Sequence, residues 1–292
     1  MSDSSAELRQ KLSVAADLHG VVRTMKAMAA SRIGRYEEAV RALAEYDRAV
    51  KLGLGVSLRS IRWQPPTVNL PASIPQVLNI IVFGSDQGLV GQFNDVIAQF
   101  ATETLAKLTG SAVVWAVGER IHARLADDGF AVKGLFHVPN DVSGIGALVG
   151  HLQENVETRG VYEGGESLYV FHNRKCSGSA YEATFKRLLP LDRAWRDGMT
   201  AIRWPGKSAP EILAEPRIIL RALVREYLFI SLFQACAESL ASENASRLAA
   251  MRRAEKNIDD LKEDLTRRFH QVRQTSIDEQ IFDVVSGFEA LN

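Results

Sequence analysis

Residues 217–286 read RIILRALVREYLFISLFQACAESLASENASRLAAMRRAEKNIDDLKEDLTRRFHQVRQTSIDEQIFDVVS. These 70 residues contain neither glycine nor proline, so nothing in them forces a turn or breaks a helix. One unbroken helix would be roughly 105 Å long at the α-helical rise, which is too long for the interior of a globular domain. Apolar residues recur along it at steps of three and four and predict a seam that comprises Leu223, Tyr227, Ile230, Ala237, Leu240, Leu248, Met251, Ile258, Leu261, Leu265, Phe269 and Val272.

The N-terminal segment carries a matching apolar stripe. Residues 6–52 contain no proline and predict a second long helix. A long helix with one wet apolar face needs a partner, so we predict that the two ends of the chain pair as an antiparallel coiled coil. The N-terminal seam comprises Leu8, Leu12, Ala15, Val22, Met25, Ala29, Ile33, Tyr36, Val40, Leu43 and Val50.

The middle of the chain has a different pattern, with short β-rich runs that alternate with helical runs. We predict strands at 77–83, 112–117, 131–138 and 168–172, and helices at 94–108, 118–128 and 144–157. This alternation favours a mostly parallel sheet with helices on its faces. Proline-rich stretches at 63–75 and 204–216 mark its limits. The predicted organisation is an N-terminal coiled-coil helix (1–62), an inserted α/β domain (63–210) and a C-terminal coiled-coil helix (211–292).

Composition and charge exclude several classes of protein. The 292 residues carry 35 basic and 35 acidic side chains, so the chain has no overall field that would gather nucleic acid or anionic lipid. No stretch approaches the ~18 uninterrupted apolar residues of a membrane span. The start of the chain lacks the basic and apolar pattern of a secretory signal. Cys176 and Cys236 lie 60 residues apart, which excludes a CxxC zinc site and predicts a reducing compartment.

The sharpest local motif is GSDQGLVGQFN at 84–94, which follows the first predicted strand. Its glycine spacing matches neither a Walker loop nor a dinucleotide loop, and Asp86 would repel phosphate. We therefore predict a structural turn in which glycines supply positive φ, formed by Gly84, Ser85, Asp86, Gly88 and Gly91. The alternative is an α/β protein that binds a small molecule through Ser85 and Asp86.

The polar residues show no pattern of a catalytic or metal site. The six histidines form no HExxH motif, and no serine lies in a GxSxG elbow. The sequence therefore predicts no catalytic residue, no metal and no cofactor, and a coiled-coil adaptor stays open as another alternative. Basic residues that cluster in both end segments either pair with acidic neighbours on the same helix or contact acidic loops of a surrounding protein.

Three stretches resemble the gamma subunit of F-type ATP synthases, the central rotor shaft. They are RTMKAMAASR at 23–32, SDQGLVGQFN at 85–94 and ESLASENASRLAAM at 238–251, the last followed by RQTSI at 273–277 and VSGFEAL at 285–291. The resemblance covers essentially the full chain. Departures from the family pattern also fit the gamma subunit of an alternative bacterial F-type ATPase, including a sodium-translocating one; they stand at Gln87, Val90, Asp278, Gln280 and Phe288.

The resemblance implies a non-catalytic subunit that transmits torque between the ion-driven c-ring and the catalytic ring of alpha and beta subunits. It implies the alpha, beta and epsilon subunits and the c-ring as partners, no nucleic acid, and one copy of this chain in the complex. Membrane association would be peripheral, through the c-ring, at the cytoplasmic face of a bacterial inner membrane. The implied contacts between rotor and stator, with Arg247 supporting Arg273 and Gln274, are Met25, Lys26, Arg247, Arg273, Gln274 and Asp278.

Overall fold

The computed structural model describes residues 4–61, 77–157, 167–176, 181–208, 210–212 and 215–289. In chain order its elements are α1 (Ser5–Ser60), β1 (Val77–Phe83), α2 (Phe93–Leu105), β2 (Ser111–Val117), α3 (Glu119–Asp127), β3 (Val132–Phe136), α4 (Val142–Glu157), β4 (Ser167–Lys175), β5 (Tyr181–Leu189), α5 (Arg193–Ala201) and α6 (Pro216–Glu289). The predicted long C-terminal helix is confirmed, and it begins at a proline, which fits the first turn because no hydrogen bond is lost there.

Helix α1 extends beyond its predicted end near Leu52 and continues to Ser60. It passes through Gly53 and Gly55, which would each weaken a helix by about 0.5–1 kcal/mol relative to alanine. Both glycines allow close packing: a β-carbon would lie 3.2 Å from the Leu223 side chain at Gly53, and 2.7 Å from the carbonyl oxygen of Met199 at Gly55. The helix therefore continues because its neighbours α6 and α5 pack directly on the glycine backbone.

The described chain divides into two compact units. Unit 1 consists of Met1–Ala29 and Arg247–Asn292, and unit 2 of Ala30–Ser246. In unit 1, α1 residues with lower numbers contact α6 residues with higher numbers. The pairs are Lys26 with Glu255, His19 with Asp259, and Arg9 with Phe269. In unit 2 the Tyr46 hydroxyl group contacts the Glu226 carboxylate, which also fits an antiparallel order of α1 and α6. The predicted antiparallel pairing of the chain ends is confirmed, whereas the domain limits 1–62, 63–210 and 211–292 stay a prediction.

The seam of unit 1 is buried as the apolar spacing predicts, with one exception. Fully buried members are Leu8, Ala15, Ala29, Met251 and Leu265. Leu261 is 49% exposed, so its place in the seam was predicted wrongly. The seam steps from Ile258 to the half-buried Lys262 and on to Leu265. Because each residue turns the helix by about 100°, Leu261 lies beside the seam.

The sheet of unit 2 has the strand order β3-β2-β1-β4-β5. The first four strands are parallel, as predicted, and β5 pairs antiparallel with β4. Helices α2 and α3 cover one face, while α1, α4 and α6 contribute to the core on the other. The sequence analysis missed β5 and α5, and the predicted boundary at 63–75 lies outside the described residues. The sequence did not predict strand β5 because most of its side chains are polar or half-exposed, and only Leu188 and Leu189 are buried.

Candidate functional site

The turn after β1 is closed by hydrogen bonds between its own ends. The Ser85 backbone N–H donates to Asn94 Oδ1 at 3.0 Å, and Asn94 Nδ2 donates to Ser85 Oγ at 2.9 Å. The Ser85 hydroxyl in turn donates to the Gln87 carbonyl oxygen at 2.9 Å. In the alternative prediction the Ser85 hydroxyl binds a small molecule. In the structure this hydroxyl is hydrogen-bonded within the turn.

The Asp86 carboxylate joins the turn to two neighbouring segments. Its Oδ1 accepts the Glu119 backbone N–H at 2.9 Å, and its Oδ2 accepts the Val138 backbone N–H at 2.9 Å. Glu119 is the first residue of α3, where free backbone N–H groups and the helix dipole favour a carboxylate. Both oxygens thus bond the protein backbone, which favours a structural use of Asp86 over the binding of a small molecule.

The glycines of this turn have three different environments. Gly91 has φ +59°, as the predicted role requires, and Leu89 is also left-handed at φ +62°. Gly84 lies outside the left-handed region, but a β-carbon there would lie 2.3 Å from Ile121 Cβ. At Gly88 the nearest atom to a β-carbon is 3.9 Å away, on Arg120. Positive φ therefore explains Gly91, close packing explains Gly84, and neither applies to Gly88.

These environments predict opposite outcomes for two alanine substitutions in one turn. Gly84→Ala should lower the free energy of unfolding by about 1–3 kcal/mol, because the new methyl group displaces Ile121 and Asn94. Gly88→Ala should change it by less than about 0.5 kcal/mol. Urea-induced unfolding followed by circular dichroism measures both. Equal losses at the two positions would contradict the packing explanation.

Helix α6 contacts this turn through a buried run of small polar residues. Ser246 Oγ donates to the carbonyl oxygen of Val90 at 2.5 Å, and Ser239, Ser242 and Asn244 are buried on the same helix. Small side chains let the helix approach the turn backbone closely. Two of the stretches that carry the family resemblance, at 85–94 and 238–251, are therefore in contact.

Met25 and Lys26 are half-buried on α1 in unit 1. Lys26 Nζ lies 2.5 Å from Glu255 Oε2 on α6. This hydrogen bond holds the pKa of the Glu255 carboxyl below its ordinary value. The Lys26 charge thus has a partner within the chain and helps to hold α1 against α6.

The structure separates Arg247 from the other predicted contact residues of α6. Arg247 is 7% exposed, whereas Arg273, Gln274 and Asp278 are exposed. Arg247 and Arg273 are 26 positions apart in one helix, which corresponds to about 39 Å. Arg247 therefore makes no direct contact with Arg273 or Gln274 within the helix, and the assignment of these residues to a contact between rotor and stator stays a prediction.

The C-terminal tail, residues 273–286, lies beyond the seam. Arg9 sits over the Phe269 ring at 5.6 Å, and the described part of α1 begins four residues earlier, at Ser5. No described residue of α1 is left to cover the tail, and every side chain from 273 to 286 is exposed. Its exposed apolar side chains are Ile277, Ile281, Phe282, Val284 and Val285.

Unit 1 has two further exposed surfaces, an apolar stripe that the sequence analysis did not predict and a band of the clustered basic residues that it did. An exposed apolar stripe on α1 comprises Val14, Leu18, Val21 and Met28, each at least 50% exposed. Its heptad-like spacing is visible in the sequence, beside that of the buried seam. A basic band comprises Arg23, Arg252, Arg253 and Lys256, which are exposed and have no ion-pair partner among the described residues. By contrast, Arg268 pairs along the helix with Asp264 at 2.8 Å.

Among the residues that the structure describes, no group of three or more histidine, cysteine, aspartate or glutamate side chains is arranged to hold a metal ion. None of the described helices is long and apolar enough to cross a membrane.

Sequence comparisons connect the whole chain to one family. A family model described as ATP synthase matches residues 4–291. The ATP synthase gamma chain of Nitrosomonas eutropha is 26% identical over 302 residues, which cover 99% of this chain and 99% of the relative. The ATP synthase gamma chain of Clavibacter michiganensis subsp. michiganensis is 30% identical over 306 residues, which cover 98% of each chain.

Solved structures share the fold at low sequence identity. A chain of the Euglena gracilis mitochondrial ATP synthase rotor matches with a TM-score of 0.65 and 13% identity, over 94% of this chain and 98% of that one. A chain of the central stalk and c-ring of the Tetrahymena thermophila mitochondrial ATP synthase matches with a TM-score of 0.56 and 19% identity, over 80% of this chain and 99% of that one. These matches confirm the combination of long terminal helices with a central α/β sheet.

Proposed function

Because this chain belongs to the family of ATP synthase gamma chains, we propose that its paired terminal helices are the shaft that couples ion flow to nucleotide chemistry. The chain is a non-catalytic, peripheral subunit of the F-type ATP synthase. The observation that carries the proposal is the antiparallel pairing of α1 with α6 in unit 1, with a C-terminal tail that extends past the seam.

A shaft couples two processes only if its surface differs around its circumference. Unit 1 meets this condition, because the exposed apolar stripe belongs to α1 whereas most of the basic band belongs to α6. Each angular position would present a different surface to each catalytic subunit of the ring. Different contacts in each state shift nucleotide affinity, which is coupling by differential binding.

The basic band and the C-terminal tail are the proposed contacts with the alpha and beta subunits. Unpaired guanidinium and ammonium groups favour acidic loops, and the Arg273 fork suits a bidentate bond to a carboxylate. Gln274 and Asp278 lie one helical turn apart and add polar partners on the tail. The exposed apolar tail residues would be covered by an apolar lining of the ring.

Unit 2 is the proposed connection to the c-ring and the epsilon subunit. The chain would reach the membrane only through the c-ring, and several of its relatives are bacterial, which supports the cytoplasmic face of a bacterial inner membrane as its location. Neither unit needs to bind nucleotide for this role. The hydrogen bonds that occupy Ser85 and Asp86 agree with that.

Co-purification tests the proposed function. The chain is expressed in its own host with an affinity tag at its N-terminus. Purification through the tag should recover the alpha, beta and epsilon subunits together with the chain. The same tag on an unrelated protein of similar size is the control. Recovery of the chain without alpha and beta subunits would contradict the proposal.

A further inference from the structure

A hydrogen-bonded pair of side chains with little exposure links the central sheet of unit 2 to α6. His172 Nε2 on β4 lies 2.9 Å from Glu238 Oε2 on α6, and the two side chains are 9% and 17% exposed. Gln234 Nε2, one helical turn before Glu238, donates to its other oxygen at 2.7 Å. Both carboxylate oxygens are therefore bonded, as a buried carboxylate requires.

The surroundings favour an ionised Glu238. Burial raises the pKa of this carboxyl, but hydrogen bonds from His172 and Gln234 outweigh that effect, so its pKa lies below the ordinary value. Two cations stand nearby: Arg174 on β4 is paired with Glu182 at 2.7 Å, and Lys186 on β5 contacts Ser231 Oγ at 3.4 Å. The pair thus combines charge with low exposure, which strengthens its hydrogen bond relative to one on the surface.

A cavity of about 280 Å³ lies beside this pair, between α6 and the face of β4 and β5. His172, Lys186, Ser231 and Glu238 line it together with a few apolar side chains. The cavity interrupts the apolar packing of α6 on the strands only locally, since Leu232 and Ala235 of α6 belong to the same buried core as Val170 of β4. At the cavity itself, the bond between His172 and Glu238 and the contact of Lys186 with Ser231 join the strands to α6.

We propose that the His172–Glu238 pair is a positioning pair through which torque passes between the sheet and α6. This rests on the proposed function, and it names the contact between β4 and α6 that would transmit the torque. Apolar contacts resist separation but allow sliding, since they have no preferred direction. A short charge-assisted hydrogen bond weakens steeply when its geometry is distorted, so it opposes lateral displacement of the helix along the strand.

The test compares loaded with unloaded function in the assembled complex. His172→Ala and Glu238→Gln are introduced into the complex that contains this chain, and each complex is reconstituted into vesicles. ATP-driven ion pumping against a gradient should fall by roughly tenfold, as expected when a charge-assisted hydrogen bond is lost. ATP hydrolysis by the detached catalytic sector, which turns without load, should stay at the wild-type rate.

Two further variants separate a torque role from general destabilisation. Arg187→Ala removes an exposed ion pair with Asp192 at the end of the neighbouring strand β5 and should leave pumping unchanged. His172→Gln keeps a neutral hydrogen-bond donor and should restore part of the pumping, and it replaces His172→Ala if that variant fails to assemble. A merely structural role would lower hydrolysis and pumping in equal proportion.

The proposal is overturned if loaded and unloaded rates change equally, or if Glu238→Gln pumps as well as Arg187→Ala. Failure of the wild-type chain to assemble with a catalytic ring or to support pumping would instead refute the proposed function. The two failures are therefore distinguishable within one set of measurements.

Discussion

Replacing Arg273 and Gln274 together by alanine is expected to reduce ion-driven ATP synthesis by roughly tenfold or more, as the loss of charge-assisted hydrogen bonds implies. Both side chains are exposed on the C-terminal tail, where no described part of the chain covers them. The isolated chain should therefore unfold with a free energy within about 0.5 kcal/mol of the wild-type value. Synthesis is measured in reconstituted vesicles, and stability by urea unfolding.

A matched control comes from the same helix. Arg267 is also an exposed arginine, but its Nη2 atom lies 3.6 Å from Oε1 of Glu263, one helical turn earlier. Arg267→Ala should leave synthesis close to normal, because this arginine already has a partner within the chain. Normal synthesis by the Arg273 and Gln274 double variant would remove these residues from the proposed contact with the ring.

A negative charge in the seam of unit 1 is expected to separate the paired helices. Ala29 is 1% exposed, so Ala29→Asp buries an unpaired carboxylate and should cost about 3–5 kcal/mol. Amide hydrogen exchange should accelerate in α1 before Ala29 and in α6 after Met251, and coupled synthesis should be lost. The sheet of unit 2 should keep its protection, because it has its own core.

The control for this substitution lies two residues away. Ala27 is exposed on the same helix, so Ala27→Asp places the same charge in water. Its exchange rates should match those of the wild type. If the two variants exchange alike, the seam does not hold α1 and α6 together and the shaft interpretation loses its physical basis.

The long helices and their pairing were predictable because burial of one helix face imposes a period that is visible in a single sequence. Leu8, Ala15 and Ala29 follow that period without exception. Leu261 shows its limit: a lysine takes the seam position next to it, since its aliphatic stem can be half-buried while its charge stays in water. A prediction from side-chain polarity alone therefore placed Leu261 in the seam, although Leu261 is exposed.

The contacts that position α6 on the sheet were not predictable. His172 and Glu238 are separated by 66 positions, and nothing in either local pattern marks them as partners. Gly55 likewise depends on the carbonyl of Met199, far away in the chain. Such contacts follow from how elements pack, whereas the exposed stripe of Val14, Leu18 and Val21 has a helical spacing that the sequence itself shows.

Direct observation of rotation tests whether this chain is a shaft. Lys107 is exposed on unit 2, and a cysteine there, with Cys176 replaced by serine, can carry a bead while the catalytic ring is fixed to a surface. Addition of ATP should turn the bead continuously in one direction, and Ala29→Asp should abolish sustained turning. A bead that stays still while the fixed complex hydrolyses ATP at its normal rate would contradict the account.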